Sequence, residues 1–336
     1  MEFKEFIEFA REAMEEKTGL EMQIKHIRKN NCERVALVAV EKESNVSEAI
    51  YLEPYYSIHE SGVGLEEIID FIHEQYKRHR INEFIDISDV LCFSKIKDNI
   101  RFALIGYERN KDWLATMPHR KVLDMAVVYY YTIDSSASVF FRIQNEHMMQ
   151  WGVSETELFE TAMRYTPEKL PAVTRSIKQC ILGKLLECLH DGLIRNDELK
   201  EIIANGVGKE PDEIELPEGE NISMEEVEEY IIRMYEGTFD DTRINMAVLS
   251  NNGMQGAACM LYPHCLKKLA EDMGNDLYIL PSSVHEVIML PLRADTDFDE
   301  LKDMVYQINR SQLAREEFLS DNVYLYRRDT DKVEIV

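Results

Sequence analysis

The fold is organised around the segment Asp276-Leu-Tyr-Ile-Leu-Pro-Ser-Ser-Val-His-Glu-Val-Ile-Met-Leu-Pro291. Two apolar runs in it, 277–280 and 284–290, have the length and composition of buried strands. The polar residues Pro281-Ser-Ser283 lie between the runs, and His285-Glu286 lies within the second. The pattern predicts two strands joined by a turn where two hydroxyls, an imidazole and a carboxylate lie close together.

Apolar periodicity in the rest of the chain predicts a mixed α+β fold, with mainly antiparallel sheets and packed helices. We divide the chain into an N-terminal α+β part (1–144), a helical segment (145–206), an acidic insert with a helix (207–240) and a C-terminal α/β part (241–336). The closing hairpin, 323–327 with 333–336, is too small to be stable alone. We therefore expect the C-terminal strands to complete a sheet.

Several local patterns predict individual elements. Residues 49–56 have the composition of a strand, and 255–273 have helical spacing up to the stop signal Gly274. Ser154 and Glu157 form the capping-box pattern of a helix that begins at residue 155. Residues 176–190 predict another helix, and 208–229 carry ten acids and one lysine, which is typical of a solvated linker.

Charge narrows the classes of partner. The 336 residues include 38 basic and 63 acidic side chains, which gives a formal net charge of −25. Lysine and arginine are needed to neutralise phosphates, so this balance argues against nucleic acids and against anionic membranes. We predict an unknown protein or a small molecule as the partner.

Cysteine usage and the N-terminus indicate the compartment. The six cysteines include no C-x-x-C pair, so no structural zinc site is expected. The segment Met1-Glu-Phe-Lys-Glu-Phe6 lacks the apolar core of a signal peptide. Gly62-Val-Gly64 lacks the spacing of a nucleotide-binding loop, and we predict no cofactor. These features favour a reducing cytoplasm.

The polar segment between the two apolar runs supplies most of the candidate site residues. Turns that follow strands are common positions for ligands. We therefore predict that the turn at one end of a sheet and the turn after the strand 244–249 line one site. The candidate ligand-binding residues are Asn251, Asn252, Ser282, Ser283, His285 and Glu286.

Catalysis by the same residues is the alternative. An imidazole can activate a serine hydroxyl, with a carboxylate to orient it. If 284–290 is a strand, however, His285 and Glu286 point to opposite faces of the sheet. The G-x-S-x-G and H-E-x-x-H motifs are also absent. A structural role, as a turn held by hydroxyl-to-backbone bonds, is the third interpretation.

Three longer phrases resemble a known family. They are Asn145-Glu-His-x-x-x-Trp-Gly-Val-Ser-x-x-Glu-Leu-Phe159, Leu249-Ser-Asn-x-Gly-x-x-Gly256-Ala-Ala258 and Tyr278-Ile-Leu-Pro-Ser-Ser-Val-His-Glu-Val-Ile288. They are similar to DUF5688, a family of uncharacterised proteins from gut-dwelling anaerobic Firmicutes, and the first is loosely similar to DUF1444. The resemblance covers nearly the whole chain and implies a bacterial cytoplasmic protein. It implies no activity and no catalytic residue.

The function predicted from sequence is therefore a non-enzymatic cytoplasmic binding or interaction protein. The alternative is a hydrolase-like or metal-assisted enzyme centred on Ser282, Ser283, His285 and Glu286. The sequence alone does not decide whether the protein is an enzyme.

Overall fold

The computed structural model describes residues 1–41, 44–45, 47–80, 84, 88–133, 140–176, 179–180, 183, 200–201, 203–204, 210–215, 230–231, 233, 246–251, 255–294, 296–311 and 313–336. Within these ranges the chain forms three sheets, and every strand pair in them is antiparallel. The predicted mixed α+β class is confirmed. Among the described residues, no helix combines the length and apolar character needed to cross a membrane.

The N-terminal sheet has the strand order β1-β2-β3. Its elements are α1 (Phe3–Thr18), β1 (Met22–Lys29), β2 (Cys32–Ala39), β3 (Ala49–Tyr51), α2 (Glu53–Glu60) and α3 (Leu65–His79). The apolar faces of α1 and α3 bury Phe6, Ile68 and Ile72 in the core of this part. The predicted strand 49–56 is wrong after Tyr51. Pro54 lies in the first turn of α2, where a fixed φ and a missing N–H favour a helix.

The central sheet is built around the fully buried strand at residues 125–132, with which its other three strands pair. Its elements are α4 (Phe93–Ile96), β4 (Ile100–Gly106), α5 (Lys111–Leu114), β5 (His119–Val122), β6 (Met125–Thr132) and β7 (Phe140–Arg142). β4 pairs with one side of β6, while β5 and β7 pair with successive parts of its other side. α6 (Asn145–Trp151) and α7 (Glu155–Lys169) follow. Ser154 caps α7 by accepting a hydrogen bond from the Glu157 N–H, as predicted.

The C-terminal sheet has six strands in the order β13-β12-β10-β11-β9-β8. The strands are β8 (Ala172–Ser176), β9 (Ala247–Asn251), β10 (Leu277–Pro281), β11 (Val287–Pro291), β12 (Tyr324–Arg327) and β13 (Lys332–Ile335). The helices are α8 (Cys265–Met273) and α9 (Phe298–Ser311). The closing hairpin β12–β13 joins the sheet through β10, so the expected completion of a sheet is confirmed.

One apolar core joins the central and C-terminal sheets. Phe102 and Tyr129 of the central sheet are buried in the same cluster as Ile279, Val287 and Tyr324 of the C-terminal sheet. α9 covers the opposite face of the C-terminal sheet. This arrangement leaves the ends of β8, β9 and the β10–β11 hairpin together at one end of the sheet.

Two predictions were wrong near that end. The helix predicted over 255–273 is a 3₁₀ helix, Gly256–Leu261, followed by a break and then α8. Pro263 and the left-handed His264 (φ +63°) form the break. The strand predicted over 284–290 begins only at Val287. The predicted helix 176–190 and the acidic segment 208–229 lie largely outside the described residues, and the four-part division of the chain stays a prediction.

Candidate functional site

The loop 282–286 between β10 and β11 is a compact turn. The Ser283 N–H donates to the Glu286 carbonyl at 3.2 Å, and the His285 N–H donates to the Ser283 hydroxyl at 3.0 Å. The Val284 N–H donates to the carbonyl of Glu317 at 2.8 Å. His285 and Glu286 therefore belong to a turn, and strand alternation does not govern where their side chains point.

The end of β9 lies directly beside this loop. Leu249 is paired with Val287, and the Ser250 hydroxyl donates to the His285 carbonyl at 2.7 Å. Asn251, the last residue of β9, is buried. The structure thus brings Asn251 together with the loop 282–286. Asn252 lies outside the described residues.

Gly256 fits between these two elements because it has no side chain. A Cβ at this position would lie 2.3 Å from the Ser250 hydroxyl oxygen, 2.4 Å from the His285 carbonyl oxygen and 2.8 Å from the Asn251 backbone nitrogen. The next residue, Ala257, donates its N–H to the Val284 carbonyl at 3.2 Å. The phrase containing Leu249–Ala258 and the phrase containing Tyr278–Ile288 therefore meet at one point.

The His285 side chain faces Gln255. The Gln255 backbone N–H lies 3.4 Å from His285 Nδ1, a long hydrogen bond. Because a backbone N–H only donates, Nδ1 is the acceptor, and the ring proton is on Nε2. Within the described part of the chain, no hydrogen bond is formed by Nε2. The imidazole therefore has one N–H donor that no described residue uses.

Gln255 itself is strained and has an unused acceptor. Its φ is +65°, a left-handed conformation that costs a residue with a Cβ about 1–2 kcal/mol. Its side-chain oxygen Oε1 is buried and accepts no hydrogen bond from a described residue. Such strain and buried unpaired polar atoms occur preferentially at functional sites.

The serines are engaged away from the imidazole. The Ser282 hydroxyl contacts Glu286 Oε1 at 3.3 Å, and the Ser283 hydroxyl accepts from the backbone, as described above. In the described ranges no hydrogen bond joins either hydroxyl to the His285 ring. The arrangement supplies hydrogen-bonding groups, and it lacks the nucleophile–base contact of a serine hydrolase.

A groove of about 590 Å³ opens beside the same end of the sheet. Its walls are the end of α7, the edge strand β8 and one face of α8, and the lining residues are Pro167, Pro171, Ala172, Thr174, Tyr262, Pro263, His264, Cys265, Lys268, Leu269 and Asp272. Ala172 of the groove wall is paired with Asn251 in the strand register, so the groove adjoins the loop 282–286, which we call the polar loop.

Tyr262 lies between the groove and the polar loop. The residue is 5% exposed, and its buried hydroxyl makes no hydrogen bond of ordinary geometry, although Asn251 and Cys259 are near enough to influence its ionisation. Burial raises the pKa of Tyr262 well above its ordinary value. Burial also raises the pKa of the Cys259 thiol to about 12 and that of the Cys265 thiol. All three groups are neutral at physiological pH.

The sequence prediction missed the groove, although one signal for it was present. Pro263 inside the predicted helix 255–273 marked the break that places Tyr262 and Cys265 on the groove wall. β8 was also missed, because its five residues are mostly exposed and show no strand alternation. Among the described residues, no three His, Cys, Asp or Glu side chains are arranged to hold a metal ion.

Comparison with known proteins identifies the family of the chain. A search of the curated proteins and a search of the solved structures each found no match to the chain. A family model described as a family of unknown function (DUF5688) matches residues 3–328, nearly the whole chain. The resemblance seen in the sequence is therefore confirmed, and the matched range includes the polar loop, Gly256 and the groove. The chain belongs to the DUF5688 family.

Proposed function

We propose that this protein is a non-enzymatic cytoplasmic binding protein whose ligand is a small molecule held in the groove between β8 and α8. The groove carries the proposal, since its volume of about 590 Å³ falls within the range of roughly 300–1,000 Å³ that is usual for small-molecule sites. Its inner wall is polar where Tyr262 approaches Asn251.

The wall of the groove that α8 forms suggests the chemical class of the ligand. Lys268 and Asp272 are one helical turn apart on the groove face of α8. No ion pair joins them or links either one to another described residue. A cation and an anion that are both free to bind are complementary to a zwitterionic ligand, such as an amino acid or a short peptide.

The polar loop and the neighbouring Gln255 add hydrogen-bonding groups that can orient a ligand. The free Nε2–H of His285 is a donor and the buried Oε1 of Gln255 is an acceptor. A ligand that extends from the groove toward Asn251 meets both kinds of partner. A ligand that cannot pair with these two atoms leaves buried polar groups unsatisfied and binds more weakly, so the two atoms favour selectivity.

Two features support the cytoplasm and a binding role over hydrolysis. Among the described residues, Cys32, Cys92, Cys259 and Cys265 form no disulfide, which suits a reducing compartment. The hydroxyls of Ser282 and Ser283 are separated from the imidazole by their own turn bonds.

Matched variants on α8 test the proposal. Lys267 and Lys268 are adjacent and both exposed, but only Lys268 lines the groove. A thermal-shift panel of amino acids, short peptides, nucleotides, sugars and organic acids is expected to give a zwitterionic compound that raises the midpoint of the wild type. Lys267→Trp should retain that shift, and Lys268→Trp should lose it because the indole fills the groove.

Two results count against the proposal. The first is the absence of any stabilising compound, and the second is an equal shift in both tryptophan variants. An esterase or peptidase activity that is lost in His285→Ala would instead support the enzyme alternative.

A further inference from the structure

Two arginines and a tyrosine form a row across the central sheet. In the strand register Tyr130 pairs with Arg101 on one side and with Arg142 on the other. Directly paired residues of antiparallel strands project from the same face. This face also carries Ala103 and Val128 and is the one covered by Leu114 and Met117, away from the core shared with the C-terminal sheet.

Arg142 is a cation that has no anionic partner among the described residues. Its guanidinium lies over the Trp113 ring, with Cζ 4.8 Å from the ring centroid. Its Nη1 is buried, and no described residue accepts a hydrogen bond from it. Within the described ranges Arg142 forms no ion pair, and burial lowers its pKa to about 10.

The other two members of the row do not supply the missing acceptor. Arg101 is 4% exposed and directs its Nη1 to the carbonyls of Asp98 and Ile100, at 2.7 and 2.9 Å. Tyr130 is also buried, and its hydroxyl makes no hydrogen bond to a described residue. The row therefore has unsatisfied donors although the chain contains 63 acidic residues.

An unpaired buried guanidinium is costly, and an anion that supplies its acceptors removes that cost. The planar fork of arginine matches carboxylate and phosphate oxygens. The Nη1 end of the Arg142 guanidinium is buried, whereas Arg142, Trp113 and Phe140 are each half-buried as whole residues, and no described strand pairs with the outer side of β7.

We propose that Arg142, with Trp113 behind it and Tyr130 beside it, binds an oxyanion, the carboxylate or phosphate group of a ligand. This site is independent of the groove beside α8. The aromatic ring fixes the plane of the guanidinium, the guanidinium supplies two parallel N–H donors, and the phenol supplies one O–H donor. The site selects planar or tetrahedral oxyanions over chloride because it offers several directed donors.

Tryptophan fluorescence provides a direct assay. The chain has two tryptophans, and only Trp113 contacts Arg142. Sodium phosphate and sodium acetate, each titrated against sodium chloride at constant ionic strength, are the probes. At least one of them is expected to give a saturable fluorescence change and to raise the thermal midpoint. Trp113→Phe should abolish the fluorescence change.

Variants of Arg142 separate anion binding from a structural role. Arg142→Gln should weaken binding by about tenfold or more, since a charge-assisted hydrogen bond is lost, and Arg142→Lys should give a smaller loss. Without anion, Arg142→Gln should be at least as stable as the wild type, because the unpaired charge is gone. Arg164→Gln is the matched control, since Arg164 also stacks on an aromatic ring but is exposed.

The pattern of responses distinguishes the sources of the oxyanion. A response to phosphate alone indicates a phosphorylated ligand, and a response to acetate alone indicates a carboxylic acid. The proposal is overturned if the wild type responds to neither anion. It is also overturned if Arg142→Gln responds as strongly as Arg164→Gln.

Discussion

Replacing Gly256 with alanine is expected to destabilise the protein by about 2–4 kcal/mol, because no side chain fits at this position. A Cβ would approach the Ser250 hydroxyl to 2.3 Å, the His285 carbonyl to 2.4 Å and the Asn251 nitrogen to 2.8 Å. Carbon atoms essentially never come this close to such neighbours, so the end of β9 and the loop 282–286 must separate.

The magnitude follows from the three contacts. The Ser250 hydroxyl can rotate away, but it then loses its 2.7 Å hydrogen bond to the His285 carbonyl, a loss of about 0.5–1.5 kcal/mol. The other two contacts are with backbone atoms, which cannot rotate. Forcing a methyl group against them is an overpacking that costs about 1–3 kcal/mol. The combined loss is a large part of a typical stability of about 5–15 kcal/mol.

Urea unfolding followed by far-ultraviolet circular dichroism measures this loss. Gly64→Ala is the matched control, since a Cβ at Gly64 has nothing within 4 Å and its φ is −68°. Gly64 is the N-cap of α3, so its replacement should cost at most about 1 kcal/mol.

A double variant tests which contacts are responsible. Ser250→Ala removes the nearest atom, and should recover only part of the Gly256→Ala loss because the two backbone contacts remain. Full recovery in the double variant would show that the backbone is not limiting. A Gly256→Ala loss no larger than that of Gly64→Ala would refute the steric argument altogether.

Three further predictions concern stability, pH and thiol reactivity. Asn110→Ala should cost about 2–4 kcal/mol in urea unfolding, because three acceptors lose their donor, whereas Asn145→Ala, with one such bond, is a mild control. The hydrogen bond from Arg80 lowers the pKa of Glu41, so the unfolded chain takes up the proton first and stability is lost as the pH falls below about 4.5. In thermal melts recorded at different pH values, Glu41→Gln should lose less stability at acid pH than the wild type does. If the midpoints of both proteins fall equally with pH, Glu41 is not the group whose protonation destabilises the fold. Cys92 is exposed, and the hydrogen bond with Ser94 lowers its pKa, so Cys92→Ser should remove the fastest phase of labelling by Ellman's reagent.

The sequence predicted the fold best where burial alone decides the structure. β6 is buried along its whole length, and its run of Val and Tyr residues is typical of a strand. Gly19 is a local stop signal of the same kind, and it ends α1 in the left-handed conformation that glycine adopts without cost. Both signals are local, so no tertiary contact was needed to interpret them.

Prediction failed where a distant residue supplies a hydrogen bond. Val284 looked like the first residue of a strand, but its N–H bonds to the carbonyl of Glu317, and the strand begins three residues later. The adjacency of Asn251 and His285 was expected from the order of turns and strands, and both residues lie at the same end of the sheet. The convergence on Gly256 was not expected, since the pattern does not reveal what its missing side chain would touch.

Residues 316–318, the segment that bonds to Val284, also connect the loop 282–286 to the N-terminal part of the protein. The carbonyls of Glu316 and Phe318 accept hydrogen bonds from the Asn30 amide, at 2.9 and 2.8 Å, while the intervening carbonyl of Glu317 accepts from Val284. Three consecutive carbonyls thus bind both Asn30 and Val284, which are more than 250 residues apart in sequence. The loop 282–286 is fixed from outside as well as by its own turn bonds. The loop's two serine hydroxyls are engaged in maintaining its shape, which leaves the Nε2–H of His285 as a side-chain donor of the loop that no described residue uses.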